Sequence, residues 1–207
     1  MPKILLTFLP AFYDHLDDLK EDAATNEVAI KQLELLVDFL RTEHASELEK
    51  LSSFLAHEEI TFDLLWAILL PNKEYYTVDP RTGQPRAVIL KWATEQVSMA
   101  GPYYSLDCEY LESFGDSATS SKDRSAKQAS KKFGRAKHTG AIFDFQGAVK
   151  ITSLGIYPME YHHKIDEVRN MLIARGKKWA AHDGMHHVAY SGIAYQATGR
   201  RVYVSIC

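Results

Sequence analysis

One apolar segment followed by a proline constrains the fold of this chain more than any other feature. Residues 60–76 read ITFDLLWAILLPNKEYY. Thr61 can cap a helix here, and apolar side chains occupy most of the helix circumference as far as Leu70, so the helix is expected to be buried. Pro71 forbids its continuation, because proline has no backbone N–H and its ring clashes with the preceding turn. The segment therefore predicts a buried helix that gives way to a strand.

A long amphipathic helix is predicted before this segment, over Glu27 to His57. Its stripe residues recur at spacings of three and four and are Leu33, Leu36, Leu40, His44, Leu48, Leu51 and Leu55. Spacing alone does not distinguish a face that packs on its own domain from a seam between two copies. Packing within the chain is the favoured interpretation, and self-association through the Leu33 to Leu55 stripe is the alternative. His44 is expected to be a hydrogen-bonded histidine at the edge of a core.

Strands dominate after Pro71, where the apolar residues alternate. The predicted strands are 74–79, 86–96, 103–112, two further stretches between 133 and 158, 187–195 and 201–206. In the second of these strands, Val88, Leu90 and Trp92 are expected on one face. In the third strand, the carboxylates of Asp107 and Glu109 are expected to share the solvated face. Residues 114–132, rich in serine, alanine and lysine, predict a flexible insert between strands.

The order of these elements predicts an α+β protein. We expect long N-terminal helices packed on a small, strongly twisted antiparallel sheet or partly open barrel, with one late helix at Ile165 to Trp179. Val168, Leu172 and Ile173 are expected to point inward from that helix. Residues 1–59 form the predicted helical region and residues 60–207 the β-rich domain, both within one compact unit.

Charge and composition exclude several classes of protein. The net charge of −3 combines thirteen acidic and four basic residues between Asp14 and Glu59 (4 − 13 = −9) with a remainder of +6. A pI near 6.3 makes nucleic-acid binding a poor expectation. The two cysteines, Cys108 and Cys207, offer no disulfide framework and indicate a reducing compartment, the cytosol or nucleus. No signal peptide or membrane-spanning run is recognised, so no membrane partner is expected.

Motifs for catalysis are missing from the sequence. It contains no GxxxxGK[ST] phosphate loop and no GxSxG nucleophile elbow, so we expect neither a cofactor nor catalysis in this chain. The histidines between His162 and His187 are the only cluster with ligand chemistry. His163, His182 and His186 are its candidate metal ligands, and a small metal-dependent hydrolase is the alternative function that they would support.

Aromatic residues on the predicted sheet, next to the basic end of the insert, suggest a binding surface. Its candidate residues are Tyr75, Trp92, Tyr104, Lys131 and Lys132. Aromatic side chains on a curved sheet beside a basic loop form a plausible surface for a peptide or a single strand of nucleic acid. Most aromatic residues of the sheet are nevertheless expected in the core.

Five segments in order resemble the uncharacterised domain that precedes the motor in a family of AAA-type ATPases, most abundant in fungi. They read ITFDLLWAILLPN, YYSLDCEYLESFG, FDFQGAVKITSLGIYPMEYH, LIARGKKW and HHVAYSGIA, and the resemblance spans roughly Leu33 to Val204. The insert after Phe114 is longer and more polar than the turn usual in that family.

The resemblance implies a role for this chain, because the matching domain stands in front of the motor in that family. N-terminal domains of AAA proteins select substrates, bind adaptors or target the hexamer, while a separate module binds ATP and Mg²⁺ through its Walker motifs. No motor residue carries over, because no position in this sequence matches one. The resemblance therefore implies a non-catalytic recognition domain whose partner or substrate is a protein, with ATP and Mg²⁺ needed only in a full-length family member.

Overall fold

The computed structural model describes residues 4–21, 27–80, 82–114, 132–181, 193–198 and 201–206. The α-helices are α1 (Ile4–Thr7), α2 (Leu9–Glu21), α3 (Glu27–Glu43), α4 (Ala45–Leu55) and α5 (Ile165–Ala181). Single 3-10 helices lie at Phe62–Ala67, Ile151–Ser153 and Met159–Tyr161. The strands are β1 (Glu59–Ile60), β2 (Glu74–Val78), β3 (Pro85–Ser98), β4 (Gly101–Phe114), β5 (Lys132–Phe143), β6 (Val149–Lys150), β7 (Ile156–Pro158), β8 (Ile193–Thr198) and β9 (Arg201–Ile206).

The main sheet is antiparallel and twisted, with five strands in the order β5-β4-β3-β2-β7. Two smaller pairs, β1 with β6 and β8 with β9, are also antiparallel. Helices precede the sheet and α5 follows it, so the predicted α+β class is confirmed. The predicted insert 114–132 lies outside the described residues except at its two ends, which belong to β4 and β5.

Two compact units make up the chain. The first comprises Met1–Thr77, Ala87–Tyr110 and Lys137–Ile165, and the second comprises Val78–Arg86, Leu111–Ala136 and Asp166–Cys207. The first unit holds α1 to α4 and the middle of the main sheet, and the second holds α5 and the β8–β9 pair. The predicted division of the chain at residue 60 stays a prediction.

In the first unit, helices and sheet share one hydrophobic core. Leu6, Leu16, Val37 and Leu40 of the helices belong to the same buried cluster as Leu106 of β4. The remaining leucines of the α3–α4 stripe are half-buried against that cluster, so the stripe packs on its own unit, as the intramolecular interpretation predicts. Self-association through it stays an untested alternative. In the described part of the chain, no helix has the length and apolarity needed to cross a membrane.

The predicted helix from Glu27 to His57 is interrupted at His44. This residue has φ −112° and ψ 19°, between the end of α3 and the start of α4. Its Nδ1 lies 3.0 Å from Glu47 Oε2, so the histidine is half-buried and hydrogen-bonded, as expected. The bend at His44 allows both helices to keep their apolar stripes on one core.

The apolar segment, residues 60–70, is buried as predicted but is not an α-helix. It forms the 3-10 helix Phe62–Ala67, and Thr61 makes no side-chain capping bond. Both ends of the segment are held by strands, since Ile60 pairs with Val149 and the Asn72 N–H donates to the Leu90 carbonyl over 2.7 Å. A 3-10 helix rises about 2.0 Å per residue against about 1.5 Å in an α-helix, so it spans more distance between fixed ends.

A β-bulge in β3 overturns the prediction that Val88, Leu90 and Trp92 share a face. Leu90 lies opposite Cys108, and Trp92 lies opposite the residue that precedes Cys108 in β4. Lys91 between them has no residue opposite it and is therefore the extra residue of the bulge. Each insertion of one residue exchanges the faces of a strand. Val88 and Leu90 are therefore buried, whereas 55% of Trp92 is exposed.

The late helix α5, in the second unit, is confirmed, but the prediction that Ile173 points inward is wrong. Ile173 is 48% exposed, while Val168 and Leu172 are half-buried. Arg175 donates to the Pro85 carbonyl over 2.6 Å, and the ring of Trp179 lies 5.1 Å from that of Phe133. The contacting residues thus follow 168, 172, 175 and 179, a single helical stripe that leaves residue 173 to one side.

Tyr75 anchors β2 to the end of the apolar segment. Its side chain is fully buried, and its hydroxyl lies 2.7 Å from the Ile68 carbonyl and 3.2 Å from the Leu70 carbonyl. The Tyr75→Phe variant would leave these buried acceptors without their donor, so we expect its free energy of unfolding to fall by about 1–3 kcal/mol.

Urea denaturation of Tyr75→Phe measures this loss. The matched control is Tyr103→Phe, which removes an exposed hydroxyl bonded to Gln96 over 2.6 Å and should change stability by less than about 0.5 kcal/mol. Equal stability of wild type and Tyr75→Phe would show that the buried hydroxyl does not hold the segment.

Candidate functional site

One stretch of β3 has a strand on only one side. The β2–β3 ladder runs from the Asp79 N–H, bonded to the Gln84 carbonyl, to the Asn72 N–H, bonded to the Leu90 carbonyl. Beyond Leu90, β3 continues for eight more residues and pairs only with β4 among the described residues. We call residues 93–97 of β3 the free edge.

The register shows which backbone groups point out of the free edge. Val97 lies opposite Pro102, which has no N–H, and the Pro102 carbonyl accepts a bond from Asp144 on the side away from β3. The Val97–Pro102 pair is therefore a non-hydrogen-bonded pair, and such pairs alternate with hydrogen-bonded ones. It follows that the N–H and C=O groups of Ala93, Glu95 and Val97 point away from β4, toward the free edge.

A cavity of about 450 Å³ lies against this edge, within the first unit. We call it the edge pocket. Its lining residues come from the α1–α2 junction, the apolar segment, β3 and β4, and are Thr7, Phe8, Trp66, Leu69, Pro71, Trp92, Ala93, Thr94, Glu95 and Tyr104. Its volume is within the range of small-ligand sites, and its lining is mostly apolar and aromatic, as in such sites.

Trp66 is a lining residue with a buried indole nitrogen. The side chain is 7% exposed, and its indole Nε1 is buried without a hydrogen-bond partner in the described part of the structure. A buried donor left unpaired costs about 1–3 kcal/mol, so most buried polar groups have partners. The nitrogen is enclosed by the protein, so a ligand in the pocket would contact the Trp66 ring and not this atom.

Tyr104 and Glu95 set the electrostatics of the pocket. They lie opposite each other in the β3–β4 pair, and the Tyr104 ring contacts that of Phe62 edge-on at 5.4 Å. Burial, and then the carboxylates of Glu95 and Asp63, raise the pKa of Tyr104 to about 12. At neutral pH the phenol of Tyr104 is therefore neutral and can donate a hydrogen bond, and Glu95 is the one carboxylate among the lining residues.

The structure places two of the predicted surface residues at the edge pocket. Trp92 and Tyr104 both line it. Tyr75 does not, because it is fully buried under the sheet, and its assignment to an exposed surface is wrong. Lys131 lies outside the described residues, as does the side chain of Lys132.

The candidate metal ligands are mostly beyond what the structure describes. His182 and His186 lie outside the described residues. His163 is exposed and its ring stacks on His162 at 4.9 Å, where burial and then His163 lower the pKa of His162. Within the described ranges, no group of three or more histidine, cysteine or carboxylate side chains is placed to hold a metal ion. A site that includes His182 or His186 stays an untested prediction.

Trp66 and Glu95 are two of the eight pocket residues that the sequence pattern did not assign to a site. Trp66 reads as one more core residue of the apolar segment, and Glu95 as a solvated residue of a strand. Only an unusual length signals the site, since β3 has fourteen residues and its partner β2 has five. A long strand next to a short one leaves an unpaired edge.

The pKa of Tyr104 predicts a loss of stability at high pH. The ordinary pKa of tyrosine is 10, and that of Tyr104 is about 12 in the folded protein. A raised folded-state pKa means that the neutral phenol's stabilising contribution is complete below pH 10 and declines as the pH rises toward 12. We expect Tyr104→Phe to lose less free energy of unfolding than wild type between these pH values, measured by urea denaturation. Identical pH profiles for the two proteins would contradict this assignment.

One known protein family matches more than half of this chain. Residues 50–163, more than half of the 207 residues, match the family described as "Domain of unknown function (DUF7025)". No curated protein and no solved structure matches the chain. The matched range includes the apolar segment, the free edge and all lining residues of the edge pocket except Thr7 and Phe8. This chain therefore belongs to the DUF7025 family.

Proposed function

We propose that this chain is a non-catalytic recognition domain that binds an extended peptide segment of a partner protein. The observation that carries the proposal is the free edge of β3 with the edge pocket beside it. A peptide strand added to an open sheet edge gains main-chain hydrogen bonds, and a pocket for one of its side chains supplies specificity. Here Ala93, Glu95 and Val97 offer the main-chain groups, and Ala93 and Glu95 also line the pocket.

Two further features support a bound peptide. Aromatic and apolar side chains of the pocket, such as Phe8 and Leu69, offer area for a side chain of the ligand. At its hairpin end the free edge is open to solvent, since Val97 is 83% exposed and Met99 fully exposed.

The sequence resemblance extends this proposal to a larger machine. We propose that the domain selects proteins for an AAA-type motor, in the cytosol or nucleus, and that ATP and Mg²⁺ are bound by a separate module. The five resembling segments support this role. Measurable ATP hydrolysis by the purified chain would contradict the non-catalytic part of the proposal.

Peptide binding is tested by substituting Val97. The backbone N–H of Val97 points to the free edge and makes no bond to β4, so Val97→Pro removes one donor from the edge while the β3–β4 ladder is kept. We expect heptapeptides selected on the wild-type protein from a random display library to bind Val97→Pro about tenfold or more weakly, which is the loss of about 1.4 kcal/mol.

The matched control is Val97→Thr, which changes the side chain but keeps the N–H and should retain wild-type affinity. Circular dichroism and the urea midpoint establish that Val97→Pro is folded. If the library yields no peptide that binds, or if the selected peptides bind wild type and Val97→Pro equally, the edge is not the binding site.

A further inference from the structure

We infer that the edge pocket selects a cationic side chain, that of lysine or methylated lysine, from the bound peptide. This inference rests on the proposed function and specifies its ligand. Of the ten residues that line the pocket, four are aromatic, one is a carboxylate and none is basic. The aromatic residues are Phe8, Trp66, Trp92 and Tyr104, and the carboxylate is that of Glu95.

The aromatic residues supply the first part of the recognition. A ring face carries negative charge density and attracts an ammonium group, most strongly when the ring is tryptophan. Two of the four rings, Trp66 and Tyr104, are already buried at 7% and 8% exposure, and Phe62 packs edge-on against Tyr104. Because these rings are held by the core, little side-chain entropy is lost when a cation binds against them.

Carboxylate groups near the pocket supply the second part of the recognition. In the described residues, the carboxylates of Glu95 and Asp63 have no ion-pair or hydrogen-bond partner. Elsewhere in the same unit, acidic residues next to a strand have a lysine, as Glu59 has Lys150 at 3.2 Å and Glu109 has Lys91 at 4.0 Å. Of the carboxylates of Glu95 and Asp63, that of Glu95 lines the pocket, so a positively charged group bound there would lie close to its charge.

The shape of the pocket favours a cation on a long apolar stem. Leu69, Pro71 and Ala93 line the pocket together with the rings. A lysine side chain buries its methylene groups against such residues and keeps its charged end at a polar or aromatic position. Methylation enlarges the ammonium group and lowers its hydration, which suits a cavity of about 450 Å³ with aromatic walls.

The test uses four forms of one peptide. Each is an acetylated, amidated and dye-labelled heptapeptide of alternating threonine and valine, with a central lysine, trimethyl-lysine, norleucine or glutamate. We expect fluorescence anisotropy to give the order trimethyl-lysine, lysine, norleucine, glutamate, from tightest to weakest. The lysine form should bind about threefold to thirtyfold more tightly than the norleucine form, the range of cation–aromatic attraction.

Two variants assign the selectivity to the pocket. Glu95→Gln should reduce the preference for lysine over norleucine about threefold or more while the norleucine affinity is unchanged. Trp92→Leu should reduce the preference for trimethyl-lysine in the same way. The matched control is Glu160→Gln, which removes an exposed carboxylate outside the pocket lining and should leave every affinity as in wild type.

The outcomes separate this inference from the proposed function. Equal binding of all four peptides, with loss in Val97→Pro, would overturn the selection of a cation and leave edge binding in place. A lysine preference that persists unchanged in Glu95→Gln and Trp92→Leu would also overturn it. If none of the four peptides binds, or if Val97→Pro binds them as wild type does, the proposed function fails together with the inference.

Discussion

The end of the β2–β3 ladder at Asn72 is the constraint on which the rest of the structure depends. The last bond of this ladder runs from the Asn72 N–H to the Leu90 carbonyl, directly after Pro71, whose ring ends the helical segment. Asn72 has φ 61°, a left-handed conformation that asparagine tolerates better than most residues. The chain therefore leaves the sheet at this point. After Leu90, β3 continues with β4 as its only neighbouring strand among the described residues.

Three features follow from that single break in the ladder. The apolar segment must enter the core before Pro71, where Tyr75 holds its end through the Ile68 and Leu70 carbonyls. The bulge at Lys91 lies directly after the last bond and turns Trp92 to the other face. Lys91 itself donates to the Asn72 side chain over 2.9 Å, which joins bulge and turn. Together, the segment, the bulge and the turn place an apolar cavity beside the stretch of β3 that pairs only with β4 among the described residues.

An open strand edge is normally a hazard, because it offers hydrogen bonds to any extended chain. Among the described residues, this edge is accompanied by a pocket lined by the buried rings of Trp66 and Tyr104 and by the exposed carboxylate of Glu95. A charged residue discourages unspecific pairing at an open edge, whereas an aromatic pocket beside the edge does not. The convergence of edge and pocket is the physical basis for the proposal that the edge is kept open for a partner.

Residue patterns alone determined the α+β class, most strand positions, the burial of the apolar segment and the late helix. These depend on local periodicity and on proline and glycine breaks, which the sequence carries directly. Tertiary structure alone decided that Trp66 lines a pocket, that Tyr75 is buried while Trp92 is exposed, and that the apolar segment is a 3-10 helix. Each of these depends on strand register and on where both ends of a segment are fixed. A one-residue bulge exchanges the faces of a strand without leaving a trace in its alternation, so no local pattern could reveal it.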